Sequence, residues 1–241
     1  MLFDLRHSAF RSLRDIGLFL TSARSDARLL QLRQQAGAPG AAFDRLYADA
    51  PRHDPWAATE PQYQYQRRKY QALIGLLPKQ PYRRALDLGC GLGLFTEQLA
   101  RYAEQVVGID ISAVAIGCAA DRTRALANVQ MRQGDILELG AELEGGFDLV
   151  VVADTIYYLP PPIEDLLLKR LAAQISRLLI PDGVLLLVNH YFPMPNAQTR
   201  LTRRIHSAFQ WSPALTLIAE YRRAFFLASV LRRSSALERP A

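Results

Sequence analysis

Residues 85 to 95 read Ala-Leu-Asp-Leu-Gly-Cys-Gly-Leu-Gly-Leu-Phe, a short apolar run that ends abruptly in Gly89, Gly91 and Gly93. Ala85 to Leu88 predicts a buried strand. The glycines predict a sharp turn into a helix, because a residue without Cβ adopts unusual backbone conformations and lets a ligand approach closely. The spacing is GxGxG, whereas the dinucleotide fingerprint GxGxxG places its third glycine, the one that allows close helix–strand packing, where Leu94 stands. The same turn also fits an ordinary tight connection, so its surroundings decide the reading.

Downstream, Phe95, Leu99 and Tyr102 are expected on the buried side of a helix, and Val106 to Ile109 reads as a second strand ending in Asp110. That acid stands 23 positions beyond Asp87, at the strand end where ribose hydroxyls need an acceptor. Ser112 is placed to cap a helix through Ala125. Val129 to Arg132 is a short third strand followed by Gln133, Gly134, Asp135 and Ile136. Phe147 to Ala153 is almost continuously apolar, as a parallel strand covered on both faces should be.

Beyond that strand come Asp154, Tyr157 and Tyr158, and then Pro160 to Pro162 opens a helix through Leu179. Pro181 to Gly183 turns the chain into Val184 to Val188, a fifth strand ending at Asn189, His190 and Tyr191. Leu201, Ile205 and Phe209 mark a basic amphipathic helix, and Leu215 to Tyr221 with Ala224 to Leu231 suggests an antiparallel hairpin. Strand and helix in alternation predict an α/β fold, a doubly wound, mostly parallel sheet with helices on both faces.

Upstream, residues 1 to 36 are expected to be helical, with Phe10, Leu13, Ile16 and Leu20, then Leu29, Leu30 and Leu32, on an apolar side. Gly37 to Gly40 reads as a hinge. Phe43 to Tyr65, rich in aromatics and proline, cannot be one regular element, and its rings either wall a substrate site or cap the sheet. From Gln62 a helix carries Tyr70, Leu73, Ile74 and Leu77. The resulting division is a helical extension over 1–40, an aromatic segment and helix over 41–80, a cofactor domain over 81–233 and a tail over 234–241.

With 241 residues, half of them apolar, the chain supports one well-buried α/β domain with appendages. Its net charge of +6 is matched by residues 198–241 alone, which hold eight Arg and two Glu. A solvated basic face explains this more simply than nucleic acid or a membrane surface, and no nucleic-acid-reading motif accompanies it. Cys90 and Cys118 show no metal or disulfide spacing, so no metal site is expected and a reducing cytoplasm fits. The apolar patch Ile16 to Leu20 is too short for a membrane span.

Taken with Val107-Gly-Ile-Asp-Ile111, Gly134-Asp-Ile136 and Phe147-Asp-Leu-Val150, the glycine turn resembles the class I S-adenosylmethionine-dependent methyltransferases over about residues 62 to 232. The resemblance implies a seven-stranded sheet with an antiparallel last strand. Phe43-Asp-Arg-Leu-Tyr47, Asp54-Pro-Trp56, Tyr65-Gln-Arg-Arg-Lys-Tyr70 and Asp154-Thr-Ile-Tyr-Tyr-Leu159 are similar to the nodulation protein S type, which N-methylates an amino sugar and usually carries Glu where Gln66 stands.

The resemblance implies S-adenosylmethionine as cofactor. Gly89 and Gly91, with the nearby backbone of Cys90 and Gly93, would hold its methionyl part, and Asp87 would orient the ammonium group. Asp110 would accept both ribose hydroxyls, Ile111 would cover adenine, Asp135 would accept its amine, and the Ile136 N–H would meet a ring nitrogen. Asp154 is a candidate contact to cofactor or substrate. His190, whose ordinary pKa is about 6.5, is the first candidate for a base, with Asp154 and Tyr157 beside it. Adjacent residues in an extended segment point to opposite sides, so one of Tyr157 and Tyr158 is expected to face the site. Trp56, Tyr63, Tyr65 and Tyr158 offer flat faces to a small-molecule acceptor. Two rival readings stand beside this one, an NAD-dependent oxidoreductase and a non-catalytic binding module of the same fold.

Overall fold

A computed structural model describes residues 13–192, 196–223 and 225–235. Phe10, Ala224 and residues 236–241 of the tail lie outside them. The strands are β1 (Tyr82–Leu88), β2 (Ala103–Asp110), β3 (Val129–Gln133), β4 (Phe147–Ala153), β5 (Leu179–Tyr191), β6 (Leu215–Arg223) and β7 (Phe225–Arg233). They form one sheet in the order β3-β2-β1-β4-β5-β7-β6. The pairings from β3 to β5 are parallel, and β7 runs antiparallel to both β5 and β6.

The order reverses between β1 and β4. Leu88 pairs with Ile109 on one side and Val152 on the other, so the carboxyl ends of β1, β2 and β4 open together. An open α/β sheet places its ligands in the crevice at such a reversal.

Alternation along the strands separates two cores. Leu149, Val151, Leu186 and Val188 pack against Leu73 of α3 (Gln64–Leu76) and against Phe95 and Leu99 of α4 (Leu94–Leu99). Val150, Val152, Leu185 and Leu187 pack on the other face. Their partners there are Leu171 and Ile175 of α6 (Asp165–Leu178) and Ile205 and Phe209 of α7 (Ala197–Gln210). Fully burying each such side chain contributes about 1.5 to 3 kcal/mol. A polar substitution at Val150 or Leu186 would therefore strike the centre of the sheet.

Between β2 and β3, α5 (Ala113–Thr123) begins where the Ser112 hydroxyl accepts from the Ala115 N–H at 3.1 Å. Before the sheet, α1 (Leu13–Gln35) packs on α2 (Pro39–Asp49) through Leu29, Leu32, Ala42 and Leu46.

Several local expectations change. The hinge shortens because Pro39 starts α2, and Phe43 and Tyr47 lie on that helix. Leu30 is exposed while Leu29 and Leu32 are buried, as only one side of α1 meets α2. Tyr102 falls past the end of the short α4 and is exposed. The helix expected from Pro160 starts at Asp165. Among the described residues no helix is long and apolar enough to cross a membrane.

Candidate active site

The glycine turn forms the floor of a cleft at the carboxyl ends of the strands. Gly89 and Gly91 have φ of 73° and 52°, the left-handed region that glycine adopts without a Cβ clash. The N–H groups of Gly89 and Cys90 both donate to the Ile109 carbonyl, at 2.7 and 3.0 Å, which ties the turn to β2. A Cβ on Gly89 would lie 2.2 Å from the Thr155 hydroxyl oxygen. That hydroxyl donates to the Leu88 carbonyl at 3.0 Å, binding the ends of β1 and β4 together.

The cleft encloses about 1340 Å³, solvent at its mouth included.

One half of the wall comes from β1, β2 and the turn after β3. Gly89, Cys90, Gly91, Asp110, Ile111, Asp135 and Ile136 all line it. Asp110 is buried and accepts from the N–H groups of Gly91 and Ser112, each at 2.9 Å, one on each carboxylate oxygen. Burial raises its pKa, and those two N–H groups oppose the rise. Each oxygen keeps a further acceptor site for a hydroxyl. Asp135 accepts from the Leu137 N–H at 2.9 Å through one oxygen, the usual fastening of an Asx turn.

The other half is aromatic and polar. Trp56, Tyr63, Tyr157 and Tyr158 line it with Asp154 and His190. Tyr157 and Tyr158 both face the cleft because they occupy a 3-10 turn (Ile156–Tyr158) rather than an extended segment, with ring centroids 4.4 Å apart. The Tyr157 hydroxyl and His190 Nδ1 are 2.8 Å apart. Either imidazole tautomer satisfies this contact; with the proton on Nδ1, Nε2 keeps its lone pair. Burial lowers the His190 pKa, Asp154 acting against this and Lys69 with it, so the ring is neutral at physiological pH.

Three expected site residues do not line the cleft. The Asp87 carboxylate is buried beneath the turn, accepts from the Thr96 hydroxyl at 2.7 Å, and is pushed up to about 7 by burial. Gly93 caps α4 and faces Ala119 and Met131. Tyr65 is buried with its ring against Tyr63 and Phe225.

Other contributors were not singled out from the sequence. Lys69 of α3 is fully buried and pairs with Asp154. Its signal was position, since it stands four residues before Leu73 on the buried side of α3. Asp26 of α1 accepts from Trp56 Nε1 at 2.9 Å and from the Tyr158 hydroxyl at 2.7 Å. Arg33 donates to the Tyr158 carbonyl and lies 5.3 Å from the Phe43 ring centroid. Ser22 and Arg33 both line the cleft, so α1 contributes to its wall.

A family model described as a methyltransferase domain matches residues 80–222. The chain belongs to that family.

Among relatives of this methyltransferase-domain chain, the nodulation protein S of Sinorhizobium fredii (strain NBRC 101917 / NGR234) is 31% identical over 142 residues, 58% of this chain and 62% of that protein. The trans-aconitate 2-methyltransferase of Deinococcus radiodurans is 38% identical over 115 residues, 47% of this chain and 40% of that protein. The chain thus spans less than two thirds of the length of these curated relatives. The crystal structure of the N-methyltransferase NodS from Bradyrhizobium japonicum WM9 in complex with S-adenosyl-L-homocysteine superposes with a TM-score of 0.68 at 23% identity, over 82% of this chain and 99% of that one. The fold is therefore the class I methyltransferase fold.

Proposed function

We propose that the chain transfers a methyl group from S-adenosylmethionine to nitrogen or oxygen of a small polar acceptor, an amino sugar or related saccharide being the first choice. One observation carries this reading. A single cleft joins a wall suited to adenosine, made by Asp110, Ile111, Asp135 and Ile136, to an aromatic wall holding Asp154, His190 and Tyr157.

The residues present fit the cofactor. Asp110 offers two buried carboxylate oxygens to vicinal hydroxyls, Ile111 offers an apolar face, and Asp135 with the Ile136 N–H offers an acceptor and a donor to adenine. Gly89 and Gly91 line the cleft with bare backbone that the methionyl part can approach. When bound, S-adenosylmethionine supplies a methyl group already activated on a sulfonium.

The protein's task is then to hold a lone pair in line and to exclude water. Tyr157, Tyr158 and Trp56 present faces against which a sugar or other ring can lie. His190, kept neutral by burial, accepts the proton that the acceptor nitrogen or oxygen must lose. This role requires the tautomer in which Nδ1–H donates to the Tyr157 hydroxyl, 2.8 Å away, and Nε2 carries the lone pair.

The acceptor class is supported by the nodulation protein S relatives and by the aromatic wall. An oxidoreductase reading is weakened by Leu94 where the dinucleotide fingerprint needs glycine. Incubation with methyl-labelled S-adenosylmethionine and fractionated cell extract tests the proposal. Label is expected in small amines or saccharides. Label in RNA or protein alone would overturn the acceptor class, and label in no fraction would favour a binding module.

A further inference from the structure

Asp154 has an unusual setting. It is the first residue after β4, its φ is 56°, and its N–H donates to the Val188 carbonyl at 2.8 Å. Asp adopts left-handed backbone more readily than most residues, and here that conformation turns the carboxylate into the cleft.

The two carboxylate oxygens are treated differently. Oδ2 takes the ammonium of Lys69, a side chain with no solvent exposure that lies 5.9 Å from the Phe226 ring centroid. Oδ1 is buried and no donor meets it at full hydrogen-bond geometry, while the Tyr157 hydroxyl lies near enough to help hold the carboxyl ionised. His190 Nδ1 lies 3.9 Å from Oδ1, beyond hydrogen-bond reach, and is occupied by Tyr157. A buried carboxylate oxygen without a donor is costly, which makes it a place where a ligand N–H or O–H is favoured.

The charges around this oxygen matter equally. Burial would raise the Asp154 pKa, but Lys69 and then His190 outweigh it, and the carboxyl stays ionised below its usual range. Lys69 and Tyr70 approach from α3, Tyr157 and Tyr158 from the turn after β4, His190 from β5 and Asp26 from α1. The buried tyrosines Tyr157 and Tyr158 stay protonated and His190 stays neutral. Lys69 and Asp154 therefore cancel, and an acceptor arriving as a cation gains little net attraction there while meeting the Lys69 ammonium behind the carboxylate.

We propose that Lys69 is a positioning residue of the transfer site, clamping Asp154 by one oxygen so that the other receives an acceptor N–H or O–H, and balancing its charge so that the acceptor is taken in its uncharged form. This rests on the methyl-transfer reading above. It adds a selection for the uncharged acceptor, whose lone pair is free to react: the extra proton of an ammonium form passes to solvent before the acceptor is seated, and the proton that the nitrogen or oxygen sheds on methylation passes to His190.

The first readout needs no acceptor. In the wild-type chain saturated with S-adenosyl-L-homocysteine, the carboxyl carbon of Asp154, assigned with Asp154→Asn, is followed by NMR against pH. It is expected to remain ionised below the ordinary aspartate range. Titration near pH 4 or above would overturn the proposal. In Lys69→Met the same carbon should titrate at higher pH, and in Lys69→Arg it should return towards wild type.

The second readout uses D-glucosamine as probe with labelled S-adenosylmethionine. Lys69→Met should lower kcat/KM at least tenfold and move its pH midpoint upwards, with Lys69→Arg restoring both. An unchanged rate and midpoint in folded Lys69→Met would reduce the pair to a structural staple and overturn the proposal. Absence of transfer to glucosamine in the wild type would count against the amino-sugar reading alone, and the carboxyl titration would still decide for or against Lys69.

Discussion

Lys69 and Asp154, 85 positions apart in the chain, form an ion pair at the inner end of the cleft, between α3 and the carboxyl end of β4. Lys69→Ala leaves the Asp154 carboxylate without its partner, a change that costs about 3 to 5 kcal/mol for buried pairs. Urea denaturation of the purified variant measures it. Replacing both residues together, Lys69→Met with Asp154→Asn, should recover most of that loss, because Asn tolerates the left-handed backbone at position 154 and no charge is then left uncompensated.

Asp110 is expected to be the strongest single contributor to cofactor binding. Charge-assisted hydrogen bonds to two hydroxyls contribute about 1.5 to 3 kcal/mol each and do not simply add. Asp110→Ala should weaken S-adenosyl-L-homocysteine binding by about 2 to 4 kcal/mol in calorimetry, with circular dichroism unchanged. Unaltered affinity would make Asp110 only the fastening of Gly91 and Ser112.

At Gly89 the backbone is in the left-handed region and an added Cβ would meet the Thr155 side chain at 2.2 Å. Gly89→Ala should cost about 1 to 3 kcal/mol of stability and also reduce cofactor affinity, since Thr155 must give way and release the Leu88 carbonyl. A thermal melt with and without S-adenosyl-L-homocysteine separates the two effects.

A pH signature comes from the other sheet face, where His206 of α7 is buried against the Ser229 hydroxyl at 2.8 Å and burial takes its pKa down to about 3. Below the ordinary histidine value of about 6.5 the unfolded chain binds a proton that the folded chain refuses, so this contribution is lost as pH falls from about 6.5 towards 3. The slope is at most about 1.4 kcal/mol per pH unit. Asp87, raised to about 7, acts in the opposite sense and loses stability as pH rises from about 4 to 7. His206→Phe should therefore flatten the acid limb relative to wild type, measured as chemical denaturation at a series of pH values.

The ease with which the fold could be read from the sequence follows from how local its signals are. Phe147 to Ala153 is a strand on sight because both faces are covered, and Ser112 announces α5 because its hydroxyl bonds three residues ahead. Asp110 and Ile111 could be placed from the end of β2 by the same local logic. Asp87, one position inside its strand end, looked equally available, but its side chain turns under the glycine loop to Thr96. Lys69 and Asp26 were illegible as site residues for a different reason. Their meaning depends on where α3 and α1 dock, and nothing near Lys69 in sequence shows that Asp154 will be beside it.

Docking of α1 itself is testable. Asp26 holds Trp56 and Tyr158, and both bonds join the helix to the aromatic wall. Asp26→Ala should raise amide hydrogen exchange across Leu13–Gln35 while leaving exchange in β1, β4 and β5 unchanged, because those strands belong to the sheet core and not to the α1 contacts.

The cleft at the ends of β1, β2 and β4 is the site for S-adenosylmethionine on which every role above depends. Isothermal titration of the purified chain with S-adenosyl-L-homocysteine and, separately, with NAD tests it most directly. Saturable binding of S-adenosyl-L-homocysteine, sharply weakened by Asp110→Ala, is expected, with no saturable binding of NAD. Saturable NAD binding with no heat from S-adenosyl-L-homocysteine would contradict it.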